Sequence, residues 1–309
     1  MPNNIDYRQK VLITGASGLI GSPLTELLIK KGHSVAHLGR AKSNGVIPSF
    51  IWNLSKGRID TRCLSGIDTI VHLAGANIAE RRWTASRKRE IAGSRIKSTA
   101  LLVEALKNNS HTVKAFISAS AIGYYGFAET DKVFREDDKP GEDFLARVTT
   151  EWEAEVDKLQ GLGMRVSKIR TGIVLSRGGG ALSAMAKPIQ WGVGAPLGSG
   201  RQFLSWIHID DLCGIFAKAI EDRKMNGPYN ATASWCTNGE MTDAIAKVLK
   251  KNLWLPPVPS FVLKMILGEM ADVVLNGSKA SCEKIKQTGY LYKFAALEQA
   301  LRNLLTDRI

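Results

Sequence analysis

The stretch VLITGASGLIGSPLTELLIKKGHSVAHLGR, residues 11–40, constrains the fold more than any other part of the chain. Residues 11–14 form a short apolar run stopped by a glycine, the pattern of a parallel strand buried on both faces. Leu24, Leu27 and Leu28 then recur at helical spacing, Gly32 closes the helix, and residues 34–38 read as a second strand. This is one βαβ unit, whose crossover is right-handed. Between strand and helix, Gly15, Gly18 and Gly21 bracket Ser17, Leu19 and Ile20. Glycines at such a turn allow backbone angles other residues resist, and leave the main chain open to a pyrophosphate. The helix that follows offers unpaired N–H groups and its positive end to the same anion.

The same grammar continues. IDTIVHLAG reads as a strand ending in a glycine turn, and residues 94–107 place Ile96, Ala100, Val103 and Leu106 on one helical face. VKAFISASAIG and MRVSKIRTGIVL are two more strands, with a helix around Trp152 between them. Repeated alternation predicts an α/β protein, a Rossmann-like doubly wound parallel sheet. After residue 176 the chain becomes rich in glycine and small residues, and from 253 a proline-marked segment with helical apolar spacing begins. The expected division is a Rossmann domain over residues 8–175 and a smaller C-terminal substrate lobe over 176–309, partly interleaved with the sheet. No internal repeat or low-complexity linker interrupts the chain.

The 309 residues are enough for a large core, and 44% hydrophobic with 23% charged residues is ordinary for a globular protein. No run of about 18 apolar residues occurs, and MPNNIDYRQK lacks the apolar core of a signal peptide, so the expectation is a cytoplasmic protein with no membrane segment. Cys63, Cys213, Cys236 and Cys282 stand far apart without a C-x-x-C pair, which predicts buried reduced thiols and no metal site. A net charge of +13 attracts phosphates of any kind. The densest basic cluster, Arg81, Arg82, Arg87, Lys88 and Arg89 around Trp83, comes with no recognition motif, so no specific nucleic acid partner is expected.

The second strand ends in HLGR. An acidic residue there would bind ribose hydroxyls and repel a 2′-phosphate; Gly39 leaves room and Arg40 offers a planar fork, which favours NADP(H). Alternatively Arg40 is only a solvated side chain after a turn.

The G-x-x-G-x-x-G spacing resembles the short-chain dehydrogenase/reductase superfamily, and WIHIDDLCGIFAKAIE with NGPYNATA resembles its extended, sugar-nucleotide-epimerase-like branch. SRI, SASAIGYYG, WEAEV, RTGIVLSRGGGAL, PLGSGRQFLSWIHIDDL and GYLYKFAALEQAL resemble the atypical epimerase family protein subgroup, 39U and YfcH-like, over nearly the whole chain. The resemblance implies an NADP(H) site in which residues 15–21 hold the phosphates and Gly39 with Arg40 the 2′-phosphate. Leu73, Ala74 and Gly75 then border adenine and ribose, and Val174 the nicotinamide. It also places Glu90 and Arg95 where they reach toward the cofactor, or serve only as helix surface.

Active members of the superfamily use a tyrosine, a lysine four residues on, and a Ser or Thr. Ser120 fits the last position. The other two fall on Phe144 and Val148, or on Leu145 and Thr149, and residues 140–157 contain neither Tyr nor Lys. Tyr124 or Tyr125 could supply the hydroxyl instead, or the pair could be a packing feature. Arg201, Trp206 and His208 form a set that could meet a small-molecule substrate, with a structural role for His208 as the rival, and Asp210 with Asp211 are expected to cap a helix starting at Leu212. The function implied is an oxidoreductase or epimerase-like enzyme of unknown substrate that lacks the Tyr-x-x-x-Lys dyad, with a homodimer possible. The alternative is a non-catalytic NADP(H)-binding redox sensor or scaffold.

Overall fold

A computed structural model describes residues 8–42, 45–127 and 131–306; the first seven residues, read above for a leader, lie outside it. The first half of the chain runs β1 (Lys10–Thr14), α1 (Gly21–Lys30), β2 (Ser34–Gly39), β3 (Ser49–Asn53), β4 (Arg58–Ile59), β5 (Thr69–His72), α2 (Ala85–Asn108), β6 (Ala115–Ala121), β7 (Val133–Phe134) and α3 (Phe144–Asp157). The second half runs β8 (Arg165–Thr171), β9 (Ile173–Leu175), α4 (Gly180–Gln190), β10 (Phe203–His208), α5 (Ile209–Glu221), β11 (Gly227–Ala231), β12 (Ser234–Thr237) and α6 (Asn238–Leu249). It ends with α7 (Ser260–Leu267), α8 (Ala271–Leu275), β13 (Lys279–Ala280), α9 (Glu283–Gln287) and α10 (Leu297–Leu305).

The main sheet has the order β11-β8-β6-β5-β1-β2-β3-β4. Every pairing in it is parallel except that of β3 with β4. Val11, Leu12 and Ile13 of β1, Ile70 and Val71 of β5, and Phe116 and Ile117 of β6 are fully buried, as strands covered on both faces require. α1 packs beside α5, and α2 beside α3. The order reverses between β1 and β5, so the chain leaves those two strands toward opposite edges and opens a crevice at their carboxyl ends.

Past residue 175 the chain is not a separate block. β11 returns to the main sheet beside β8, while β9, β10 and β12 form a second small sheet and β7 pairs with β13. Two expectations about helices need correction. α2 begins at Ala85, nine residues before the apolar pattern suggested, and its deepest face is Ile91, Ser98, Leu102 and Ala105 with Leu106. Ile96 and Val103 are only half-buried against the core. Ser98 hid the register because it is a polar residue that the core accepts through hydrogen bonds.

α5 begins at Ile209 rather than Leu212, and its cap is His208, whose Nδ1 accepts the Asp210 N–H at 3.1 Å. Asp210 is exposed. Asp211 is fully buried and clamps the C-terminal tail: its carboxylate accepts the N–H groups of Lys293 at 2.8 Å and Phe294 at 2.9 Å, and the Tyr290 hydroxyl at 3.1 Å. Removing it strands buried donors, whereas Asp210 faces water. Asp211→Ala is therefore expected to lower the unfolding free energy by on the order of 3 kcal/mol, and Asp210→Ala by no more than about 0.5 kcal/mol. Urea denaturation of the two variants checks the contrast.

Candidate functional site at the sheet switch point

The crevice floor is the loop between β1 and α1. Gly15 has φ +69°, and a Cβ there would lie 3.0 Å from the Leu73 carbonyl and the Ala74 nitrogen at the end of β5. A Cβ on Gly21 would lie 2.3 Å from the Gly15 carbonyl oxygen, an approach no side chain permits. Gly18 N–H donates to Gly15 O at 3.0 Å and tightens the turn. α1 has no side-chain cap and no acid in its first turn. Ser22 and Leu24 donate to Gly18 and Ile20 and Pro23 has no N–H, so the N–H groups of Leu19, Ile20 and Gly21, without a partner among the described residues, and the positive end of α1 are left for an external anion. The cradle fits a dinucleotide pyrophosphate.

A buried polar relay fixes the two strand ends against each other. The Thr14 hydroxyl accepts the N–H groups of Leu73 at 3.1 Å and Ala74 at 3.2 Å, and lies 2.7 Å from His72 Nδ1; His72 Nε2 lies 3.1 Å from Ser98 Oγ. Ser98 in turn donates to the Ser94 carbonyl at 2.7 Å. Counting donors assigns the Nε2–H tautomer: Thr14 donates to Nδ1 and Nε2 donates to Ser98. His72 is completely buried, and desolvation with the Arg95 charge beyond pushes its pKa down to about 3.

At the adenosine end, Gly39 closes β2 and Arg40 is exposed, with no hydrogen bond or ion pair among the described residues. Leu73 and Ala74 are half-buried beside the cradle, and Gly75 is exposed next to the Arg95 guanidinium, 3.1 Å from where a Cβ would be. Arg95 has no carboxylate partner among the described residues; it donates to the Ile91 carbonyl and lies over the Trp152 ring, and burial followed by the Arg87 charge lowers its pKa to about 10. Glu90, by contrast, is engaged by Arg81 and Arg87, each at 2.7 Å. The basic cluster is largely paired: Arg87 also meets Glu80, Lys88 meets Glu269, and Trp83 is buried with its indole N–H on the Ile78 carbonyl. Val174 is half-buried on β9, opposite Ile207.

At the far end of the crevice the structure separates the hydroxyls. Ser120 is buried, and its Oγ donates to Glu153 at 2.6 Å. Glu153 is gripped by Arg170 through two 2.8 Å contacts. Burial acts to raise the Glu153 pKa, but Arg170, Ser120 and Lys168 outweigh it and hold the carboxyl below its ordinary range. Tyr125 donates to Asn230 at 2.7 Å and accepts from Arg170 at 3.0 Å, and burial pushes it up to about 12. Tyr124 is half-buried; its ring lies flat on the Arg170 guanidinium at 3.5 Å, and its hydroxyl has no partner among the described residues. The Glu153–Arg170 pair was missed from sequence, although Lys168 and Arg170 at alternate positions of a strand expected to be covered on both faces were a usable signal.

Where the dyad would stand, Phe144 packs edge-on against Trp83 at 5.1 Å and Leu145 lies beside Gly123. Asp143 caps α3, accepting the N–H groups of Leu145 and Ala146 through one oxygen and that of Phe127 through the other. The candidate substrate set does not come together. Arg201 is exposed, but Trp206 and His208 are each 1% exposed, Trp206 inside the small sheet and His208 stacked on Phe294 with Asn303 3.1 Å from its Nε2. All four cysteines are buried and unpaired, and no metal-binding cluster occurs among the described residues.

Fold and crevice together define a dinucleotide-binding α/β protein of the short-chain dehydrogenase/reductase type. The chain belongs to the NAD dependent epimerase/dehydratase family, which it matches over residues 11–232, and residues 258–304 match a domain of unknown function, DUF1731. It is 37% identical to mouse epimerase family protein SDR39U1 over 96% of this chain and 99% of that one. It is 38% identical to a chloroplastic SDR39U1 homolog from Arabidopsis thaliana, over 97% and 88%. The crystal structure of human SDR39U1 isoform 2 with NADPH superposes with a TM-score of 0.87 at 35% identity, covering 96% of this chain and 98% of that one. The chain is an atypical member of the epimerase branch.

Because His72 is neutral when folded and titrates near 6.5 when unfolded, its contribution is complete above pH 6.5 and is lost as pH falls toward 3. Between pH 7.5 and 5.0 this amounts to about 2 kcal/mol at 1.36 kcal/mol per unit. Urea unfolding at both pH values is expected to show that much more acid sensitivity in the wild type than in His72→Asn.

Proposed function

We propose that the protein binds NADP(H) in the switch-point crevice and acts as an oxidoreductase or epimerase-like enzyme on a small molecule. The observation that carries this reading is the Gly15–Gly21 cradle at an uncapped helix start, with the unpaired Arg40 at the end of β2. In this reading residues 15–21 hold the pyrophosphate and Arg40 forks onto the 2′-phosphate. Leu73, Ala74 and Gly75 border adenine and ribose, Arg95 supplies positive charge beneath Gly75, and Val174 borders the nicotinamide. When bound, NADPH supplies a hydride. Tyr124 holds the exchangeable proton on its free hydroxyl, while Ser120, committed to Glu153, positions the Glu153–Arg170 platform on which Tyr124 rests rather than touching substrate. Arg201 is the remaining candidate for substrate contact. The division into a cofactor-binding region and a C-terminal substrate lobe, a cytoplasmic location, and a homodimer belong to the same proposal. The loss of Tyr and Lys from α3 favours one second reading, a binding protein that senses NADP(H) without turnover.

NADPH is expected to bind roughly ten- to a hundredfold more tightly than NADH, since a charge-assisted fork contributes about 1.5–3 kcal/mol. Arg40→Ala should erase the preference in a fluorescence titration; equal affinities in the wild type would defeat the cofactor assignment.

Turnover is tested by following NADPH oxidation with a panel of carbonyl compounds. Tyr124→Phe is expected to lower the rate by about 100-fold or more, and Asp143→Asn to leave it near wild type. A wild type inert across the panel, yet still selective for NADPH, would favour the sensor.

A further inference from the structure

Large apolar side chains are exposed on two segments, residues 191–193 and 254–266. Trp191 is 75% exposed, Trp254 69%, Phe261 71% and Met265 69%, with Val193 and Ile266 also open. The Trp254 indole N–H donates to the Gly192 carbonyl at 2.8 Å, which seats it against the end of α4. The chain then passes through Val258, hydrogen-bonded to Pro196 and Gly198, directly into α7. α7 buries Leu263 and turns Phe261 and Met265, one turn apart, to solvent. Isolated exposed hydrophobes are common, but tryptophans and a phenylalanine gathered on adjoining segments mark a contact surface.

The charges next to these residues in sequence are basic, and the acid nearest the end of α7, Glu269, is held by Lys88. Lys187 sits one turn before Trp191, Lys250 and Lys251 precede Trp254, and Lys264 lies between Phe261 and Met265; all four are exposed, and none makes an ion pair among the described residues. No Asp or Glu occurs between residues 158 and 209, or between residues 244 and 268. A second copy of the chain would set lysines against lysines across a two-fold axis, a costly arrangement. An anionic bilayer meets both features: tryptophan and phenylalanine settle at the headgroup level while lysines reach lipid phosphates. We propose that the face built from the end of α4, Trp254 and α7 docks on the surface of anionic phospholipid membranes. No helix of the described residues is long and apolar enough to cross a membrane, and surface docking needs none. The inference is independent of nucleotide binding.

Co-sedimentation of the full chain with vesicles tests it, using phosphatidylcholine alone and mixtures containing about one-third phosphatidylglycerol at roughly 0.1 M salt. The protein is expected to pellet with the anionic vesicles only and to be released by high salt. Both the double variant Lys187→Glu/Lys264→Glu and the apolar variant Phe261→Ser/Met265→Ser should weaken binding by about tenfold or more with unchanged urea midpoints. The proposal fails if the wild type ignores anionic vesicles, if it binds neutral ones equally, or if a folded variant of either kind binds as the wild type does. A concentration-dependent dimer abolished by Phe261→Ser/Met265→Ser would assign the face to a second copy instead.

Discussion

The closeness of the Gly15 carbonyl to Gly21 is the constraint on which the site depends. A methyl group at Gly21 would overlap the turn, so α1 starts hard against the end of β1 only because residue 21 has no side chain. That tight start brings the positive end of α1 to the crevice between β1 and β5. The other wall is held by Thr14, which uses its lone pairs on the Leu73 and Ala74 amides and its proton on His72. A charged imidazole there would disrupt this count of donors and acceptors. Complete burial keeps it neutral.

Most of this was legible in residues 11–40, because strand burial, helix period and glycine spacing are local properties that agree with one another. The mostly parallel sheet also followed from the alternation of elements. Less legible were positions whose role depends on what packs against them from afar. Trp206 and His208 stand two residues apart, on one face of a strand as a ligand-facing pair would, yet β10 lies between β9 and β12 and both side chains are buried. Asp211 resembled a helix cap; its actual partners, Tyr290, Lys293 and Phe294, lie some eighty residues on in a tail whose path has no local signal. The mispredicted face of α2 has the same origin, since Ser98 belongs to the core only because His72 is there to meet it.

The same dependence on distant partners sorts the two tyrosines. Tyr124 and Tyr125 are indistinguishable in sequence, and a single turn after β6 sends one hydroxyl to Asn230 and Arg170 and leaves the other without a partner among the described residues. Arg170 serves both, donating to Tyr125 while its flat face carries the Tyr124 ring. It stays in that place because Glu153 grips it from α3, and Ser120 completes the carboxylate's bonds. A buried ion pair without those added contacts would be a net cost. Here every member is satisfied, and the network makes a rigid support for the crevice end.

This support bears on why the dyad positions hold what they do. Phe144 and Leu145 pack with Ile78, Trp83, Ile91, Leu267, Met270 and Val273, a cluster that joins α3 to the segment after β5 and to the C-terminal helices. Val148 and Thr149 are buried, and Thr149 returns its hydroxyl to the Leu145 carbonyl. A lysine at Thr149 would bury an ammonium one turn before Glu153, whose carboxylate Arg170 already holds. The positions to which the resemblance assigns the tyrosine and lysine are thus taken up by packing that ties the start of α3 to the C-terminal helices. In the proposed reading, proton chemistry falls to Tyr124, which lies outside this cluster.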